Sequence, residues 1–541
     1  MLIAPLLLAF SSQTQAAPAT SLADLVPSGT VAFVQSPSLE RAAACVGRLA
    51  AAFEPAQAPK MDAAMLMAMS EIPGDAATVD TARPVGVCLV MPEGASSPLP
   101  VFLVPVRDAA AYTKSVEQPN SPMKVVAKGG YACVGLGQPP ELPSAPAAIA
   151  KGLLPGELSV RIDLARLIEQ FHDSIDEGLN EVESASAGAG AAVAGLDTSK
   201  MMGAYVEFLR DAVDSMETLD LGLSLDGDDV ELGFALVNSE GSTLASFGSK
   251  EKTGLRALAP LLDMDSGMSM LMGMDGADLM KHFMPLFESL PAAYPEPFRP
   301  AMQALFSRMN ELYGFMGTAQ AGSMDFTETG IRYRLYSRGG DPAKLLQAYR
   351  SIAGSLPGCS ATDVAQREVA GVKVDGALFK IDPAMFTKLA GEKDKPDAKA
   401  PELEKMMAKL FGKDGLLIQA ASKDGTGLVV IGGDDAYLNA SLARISGKGA
   451  QPAFLGRALT QVGDLNPCMI VRYDLGRMMA GMKDIMAELM PGEVAAIPSL
   501  ALATTFWGGV DGRVWRGALE LNLAEIAALK PKTEAQPASP K

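Results

Sequence analysis

A chain of 541 residues with 48% hydrophobic and 20% charged residues is too long for one core and too apolar for disorder, so several packed domains are expected. A formal charge of −17, with no Lys/Arg cluster to offset it, repels polyanions and weighs against nucleic acid or an anionic membrane surface as partner. Aromatics are only 6% against 30 methionines, so the cores must be built from Ala, Leu, Val and the adaptable Met side chain.

The N-terminal stretch "MLIAPLLLAFSSQTQAAPA" is apolar from Met1 to Phe10, then small and polar, with Ala16 and Ala17 placed as a cleavage region would be. Residues 1–19 therefore read as a secretory signal peptide, and the expected location is periplasmic or extracellular. Beyond it no uncharged apolar run is long enough for an integral membrane span. The nearest, Val494–Val510, contains Pro498, Thr504 and Thr505 and reads as a loop leading into a strand.

Five segments share one layout of apolar strand, Asp or Ser pivot, then helical periodicity. They are "SGTVAFVQSPSLERAAACVGRL", "PGELSVRIDLARLIEQFHDSI", "SGMSMLMGMDGADLMKHFMPLF", "DGALFKIDPAMFTKL" and "NPCMIVRYDLGRMMAGMKDIM", with pivots Ser36, Asp163, Asp275, Asp382 and Asp474. A side-chain oxygen at the pivot can cap the first free N–H groups of the helix that follows. Pro37 and Pro383 would then stand at the first helical position, where a missing N–H costs nothing. Successive pivots lie 127, 112, 107 and 92 residues apart, too irregular for a tight solenoid and suited to a divergent supersecondary unit.

Hairpins fall between the pivots. Alternating runs turn near Asp226-Gly227, Thr329-Gly330, Asp424-Gly425 and Asp511-Gly512, and "PVGVCLVM" and "LPVFLVPV" form an earlier pair before "MKVVAKGGYACVGLG". The fold class expected is α+β: divergent repeats of strand, capped helix and β-hairpin, forming antiparallel sheets with helices packed on one face. Glu183–Gly195 and Gly391–Lys405 read as linkers and Lys530–Lys541 as a disordered tail. A divide near residues 250–265 would leave an N-terminal lobe at 20–255 and a C-terminal lobe at 256–529.

Little in the chain reads as chemistry. Gly267–Met284 holds six methionines and one of the two histidines. Met268, Met270, Met272 and Met274 alternate, so a strand points all four one way, as a soft-metal site for Cu(I) would need. Counting back from the pivots, however, Met270, Met272 and Met274 match Leu158, Val160 and Ile162, which carry no ligand atoms. Successive same-face residues also stand ~7 Å apart, so core packing is the expected role. Met61–Ser70 reads as an amphipathic helix, and His172 and His282 as members of post-pivot helix faces. There is no HExxH, no GxSxG elbow and no phosphate loop; "SKEKTG" would ask Lys252 to serve two motifs at once. Cys45, Cys88, Cys133, Cys359 and Cys468 are too few and too scattered for a disulfide scaffold and are expected as buried thiols, with a Cys88–Cys133 bridge the one conceivable pair.

The unit "GTVAFVQSPSLERAAACVGRL", with the later strand–Asp–helix segments and Asp-Gly hairpins, resembles an uncharacterised class of exported bacterial proteins grouped as a domain of unknown function. The resemblance covers the layout of residues 25–525. It implies export and an α+β repeat, and it brings no catalytic residues. The expected function is therefore a non-catalytic exported protein that binds an apolar ligand or a protein partner, or acts as a scaffold. The alternative is a carboxylate-based hydrolase of glycan or peptide, since 63 Asp and Glu are available. No catalytic, cofactor-binding or metal-ligating residue is assigned, and no cofactor is expected.

Overall fold

The computed structural model describes residues 21–528 apart from 54–60, 70, 93, 96, 144–146, 190–197, 247–253, 264, 275–279, 281–283, 285–286, 289, 295, 297–298, 328–329, 357, 383–399, 448–452, 464, 466–467 and 490–501. The anticipated signal peptide and tail, Asp275, His282, Pro383 and the Thr329 turn position lie outside these residues.

Internal contacts divide the chain into two units, Met1–Arg166 with Thr218–Asp226, and Leu167–Glu217 with Gly227–Lys541. The boundary anticipated near 250–265 falls inside the second unit. There the strand Asp229–Asn238 pairs along its length with Val514–Asn522, a non-local pairing that no composition shift announces.

The first unit contains β1 (Thr30–Ser36), β2 (Val85–Val90), β3 (Leu99–Pro105), β4 (Met123–Lys128), β5 (Tyr131–Leu136), β6 (Leu158–Asp163) and β7 (Met216–Asp226). They pair antiparallel in the order β4-β5-β3-β2-β1-β6-β7. Helices α1 (Leu39–Phe53), α2 (Ala63–Met69) and α3 (Ala109–Val116) place Leu39, Met67 and Tyr112 against Val85, Phe102 and Val104. The opposite face holds Phe33, Cys88, Leu103 and Cys133 under Leu22, Leu25 and Val26.

The second unit contains β8 (Asp229–Asn238), β9 (Met268–Gly273), β10 (Ala319–Thr327), β11 (Gly330–Arg338), β12 (Cys359–Val369), β13 (Val372–Ile381), β14 (Leu416–Lys423), β15 (Thr426–Ile431), β16 (Cys468–Asp474), β17 (Ala503–Asp511) and β18 (Val514–Asn522). Their order is β8-β18-β17-β16-β9-β10-β11-β15-β14-β13-β12, again antiparallel throughout. Its helices include α4 (Leu164–Ala189, which begins in the first unit), α5 (Thr198–Asp214), α6 (Arg299–Met316), α7 (Pro342–Ser355), α8 (Ala400–Phe411), α9 (Asp435–Ser446), α10 (Ala453–Val462) and α11 (Leu475–Leu489).

The α+β class and the antiparallel sheet are as expected. Helices confined to one face are not. In the second unit α9, α10 and two 3-10 turns bury Tyr336, Leu428 and Ala421, while α6 and α7 bury the adjacent Leu335, Val429 and Ala420 on the other side. The reason is legible in β3 and β15: "VFLV" and "GLVVI" are unbroken apolar runs, which mark strands covered on both faces.

Each pivot strand pairs antiparallel with the next strand along the chain after its excursion: β1–β2, β6–β7, β9–β10, β13–β14 and β16–β17. The caps are partly as expected. Asp163 accepts the N–H of Arg166 at 3.2 Å and Asp474 that of Arg477 at 2.9 Å, each at the third helical residue. Ser36 is not a cap. Ser38 accepts the N–H of Arg41 at 3.1 Å, and Ser36 donates to the Ser38 carbonyl, because Pro37 keeps Ser36 extended and the helix starts only at Leu39, one residue after Ser38. Two segments read as linkers are helical where described. Glu183–Ala189 continue α4, since Ala and Glu are strong helix formers. Ala400–Lys405 open α8, where Pro401 lies in the first turn and forfeits no hydrogen bond.

Candidate functional site

In the second unit one row of side chains crosses seven strands in register: Glu231, Glu520, Thr505, Arg472, Ser269, Ser323 and Arg334. Every member is polar, yet the row lies on the helix-covered face, two residues along from Ala518, Trp507, Ile470, Leu271, Ala321 and Tyr336 in the core. Burial of charge at such a place requires partners. Glu231 takes Gln461 Nε2 at 2.5 Å and Arg457 Nη2 at 3.2 Å. The Arg457 Nε is 3.8 Å from Glu520. Arg472 donates to Thr505 Oγ1 at 3.5 Å and stands 5.0 Å from the Phe454 ring. Arg334 pairs with Asp263, which also meets Arg444 at 3.0 Å, and its guanidinium lies 5.0 Å from the Tyr437 ring. Desolvation pushes the Glu520 carboxyl above the ordinary glutamate value, opposed by Arg457 and reinforced by Glu231 and Asp229.

On the reverse of the same strands the neighbouring positions form a second row: Leu232, Leu519, Phe506, Val471, Met270, Gly322 and Leu335. It is apolar throughout, and its cover thins from Val471 toward β8. Leu335, Gly322 and Val471 are buried, Met270, Phe506 and Leu519 half-buried, and Leu232 is 43% exposed. The adjacent row brings Phe234, Met469 and Met272 beside Gly517 and Gly508. A Cβ at Gly517 would sit 2.5 Å from the Phe234 ring and one at Gly508 3.1 Å from that of Phe506, so the glycines make room for the two phenyl rings. Along this row the strands are polar inside and apolar outside, an inversion confined to the row, since two residues along the inner side is the apolar core.

The first unit repeats the inversion on β6 and β7. Arg161 and Asp220 face each other across the strands as a two-pronged ion pair at 2.5 and 2.6 Å, with side chains 14% and 5% exposed. Arg161 also donates to the carbonyls of Lys151 and Gly152. On the reverse, Leu158, Val160 and Ile162 oppose Leu223, Leu221 and Leu219; Leu158 and Leu221 are 38% and 39% exposed and the other four half-buried.

The methionines were expected in the core and are not there. Leu271 and Ser269 face inward and are buried, while Met268, Met270 and Met272 lie half-buried on the outer side. Met274 follows the strand, is half-buried, and donates its N–H to the Thr318 carbonyl. Alternation correctly puts the strand methionines on one face, but which face is covered depends on β10 and β16. Met324 lies opposite Met268 and Met469 opposite Met272, neighbours that spacing along β9 could not reveal. His172 stands on an exposed part of α4, its Nδ1 3.5 Å from Asp176, as a helix-face residue would. Cys45, Cys88, Cys133, Cys359 and Cys468 are all free thiols. Cys88 and Cys133 sit on strands separated by β3, ~10 Å apart and beyond disulfide reach, and burial pushes Cys133 up to about 12. Among the described residues no three His, Cys, Asp or Glu side chains are grouped to hold a metal ion, and no helix is long and apolar enough to cross a membrane. The opposed carboxylates Glu231 and Glu520 escaped the sequence because they lie far apart in the chain; the one signal was a charge between apolar neighbours in "VEL" and "LEL".

No family model matches the chain, and no curated protein matches it. Two crystal forms of TP0453 align at 9% identity, with TM-scores of 0.21 and 0.22. They cover 50% and 52% of this chain and 95% and 98% of those chains, a likeness too low to carry an argument.

Proposed function

We propose that the protein is a non-catalytic binding protein that holds an apolar ligand, with a long acyl chain as the concrete candidate, on the outer band of the second unit. The observation that supports this reading is the row from Val471 to Leu232, hydrocarbon throughout, whose exposure rises to 43% at Leu232 while the same strands bury carboxylates and guanidiniums on their other side. A one-residue register slip would turn these charges outward only by exposing Leu271, Ile470 and Trp507 as well. The pairing thus keeps apolar side chains where only an additional apolar body can cover them. An exported setting belongs to this proposal, on the apolar run before Ala16 and on the layout resemblance to exported proteins. The hydrolase alternative has the Glu231–Glu520 pair in its favour. Arg457 bridges both carboxylates, and that arrangement neutralises charge more naturally than it admits a substrate.

The test is native mass spectrometry of protein purified from its own compartment, followed by titration with a fluorescent long-chain fatty acid. Full burial of a leucine is worth ~1.5–3 kcal/mol, so covering the remaining 43% of Leu232 contributes ~0.6–1.3 kcal/mol. Leu232→Glu should therefore weaken binding at least about threefold to tenfold with the unfolding midpoint unchanged. Absence of any acyl ligand in both experiments, or unaltered affinity in the variant, would count against the proposal.

A further inference from the structure

All five methionines of β9, β10 and β16 lie on the outer, half-exposed face: Met268, Met270, Met272, Met324 and Met469. The inward face of the same strands uses Leu271, Ala321 and Ile470 instead. Met272 is directly opposite Met469 and Met268 directly opposite Met324, so the thioethers form cross-strand pairs with Cβ atoms ~4.5–5.5 Å apart. The Met270 Cε lies 3.4 Å from where a Cβ at Gly322 would stand, over a position with no side chain of its own. Leucine would fill this surface with equal hydrophobicity. What methionine adds is a sulfur lone pair within reach of solvent-borne oxidants.

We propose that this methionine face is a reversible oxidation site that switches the apolar band between a binding and a non-binding state. The proposal rests on the reading of the band as an apolar binding surface. The oxidant is a peroxide or hypochlorous acid. The sulfur lone pair attacks a peroxide oxygen, the O–O bond breaks, and thioether plus hydrogen peroxide become sulfoxide plus water. With hypochlorous acid the products are sulfoxide, chloride and a proton. Sulfur loses two electrons and the oxidant gains them. A dithiol-dependent sulfoxide reductase reverses the step, taking the oxygen out as water and leaving a disulfide. Sulfoxides at Met270, Met272 and Met469 place strong acceptors in or beside the row of Val471, Phe506 and Leu519. Each acceptor needs water or a donor, which an acyl chain lacks.

The full-length protein would be treated with graded hydrogen peroxide or hypochlorous acid and mapped by peptide mass spectrometry. Buried Met67 and Met280 serve as internal references. The five band methionines should gain oxygen at lower dose than the references. Fluorescent fatty-acid affinity should fall about tenfold, the desolvation cost of one unpaired polar group. The two sulfoxide reductases together, one for each sulfoxide epimer, should restore it in the presence of dithiothreitol. In the Met270→Leu, Met272→Leu, Met469→Leu triple variant the affinity after treatment should equal that variant's own affinity before it, which separates the switch from general damage. Oxidation of the band only together with Met67 and Met280 overturns the site. Equal affinity of oxidised and untreated protein, or equal sensitivity in the triple variant, overturns the switch. If untreated protein binds no fatty acid, the binding reading and the switch fall together, and the oxidation order alone decides whether the modification site stands.

Discussion

Removing one partner of the Arg161–Asp220 pair tests whether the inverted strands depend on their buried charges. Both side chains are largely buried, two contacts of 2.5 and 2.6 Å join them, and Arg161 spends further N–H groups on the Lys151 and Gly152 carbonyls. Asp220→Ala leaves a guanidinium buried without its counter-ion, at a cost of ~3–5 kcal/mol. Replacing both residues with leucine removes the stranded charge as well as its partner, and buried pairs exchanged for apolar side chains are typically neutral or stabilising by ~1–4 kcal/mol. Both tryptophans, Trp507 and Trp515, lie in the other unit, so fluorescence would not report on this one. Hydrogen exchange read on peptides covering β6 and β7 would. The single variant should exchange roughly two to four orders of magnitude faster, since each ~1.4 kcal/mol is a factor of ten, and the double variant should return to near the parent rate. A single variant less than about tenfold faster, or a double variant as labile as the single, would refute the argument that charge burial here is held by mutual pairing.

Two further outcomes are expected. Asp163→Ala and Asp474→Ala should each lose ~0.5–2 kcal/mol of stability, read by denaturant titration, whereas Ser36→Ala should not lose a cap and Ser38→Ala should. Glu520 has a raised carboxyl pKa in the folded state, so the folded chain binds its proton more tightly than the unfolded chain. The resulting stability is present at low pH and is lost as pH rises through the ordinary glutamate value toward the folded one. Glu520→Gln should accordingly flatten the pH dependence of the denaturant midpoint on the acid side, and an unchanged slope would show that Glu520 does not titrate with folding.

The sequence alone determined what is local in energy. Strand periods, Asp-Gly turns and side-chain caps act within a few residues, and so β2, β3, β14 and β15, the Asp424-Gly425 turn with both φ angles positive, and the Asp163 and Asp474 caps were all legible. Alternation also showed that Met268, Met270 and Met272 share one side of a strand. It could not say which side is covered, because that is decided by strands and helices far away in the chain: β16 at Cys468–Asp474, β10 at Ala319–Thr327, and α9 and α10, which claim the Leu271 face. The Glu231–Glu520 and Arg161–Asp220 pairs were hidden for the same reason. Each is an ordinary charged residue until a non-local register sets it opposite its partner and the fold removes the water between them, which turns four common side chains into buried ones and leaves their apolar neighbours facing out.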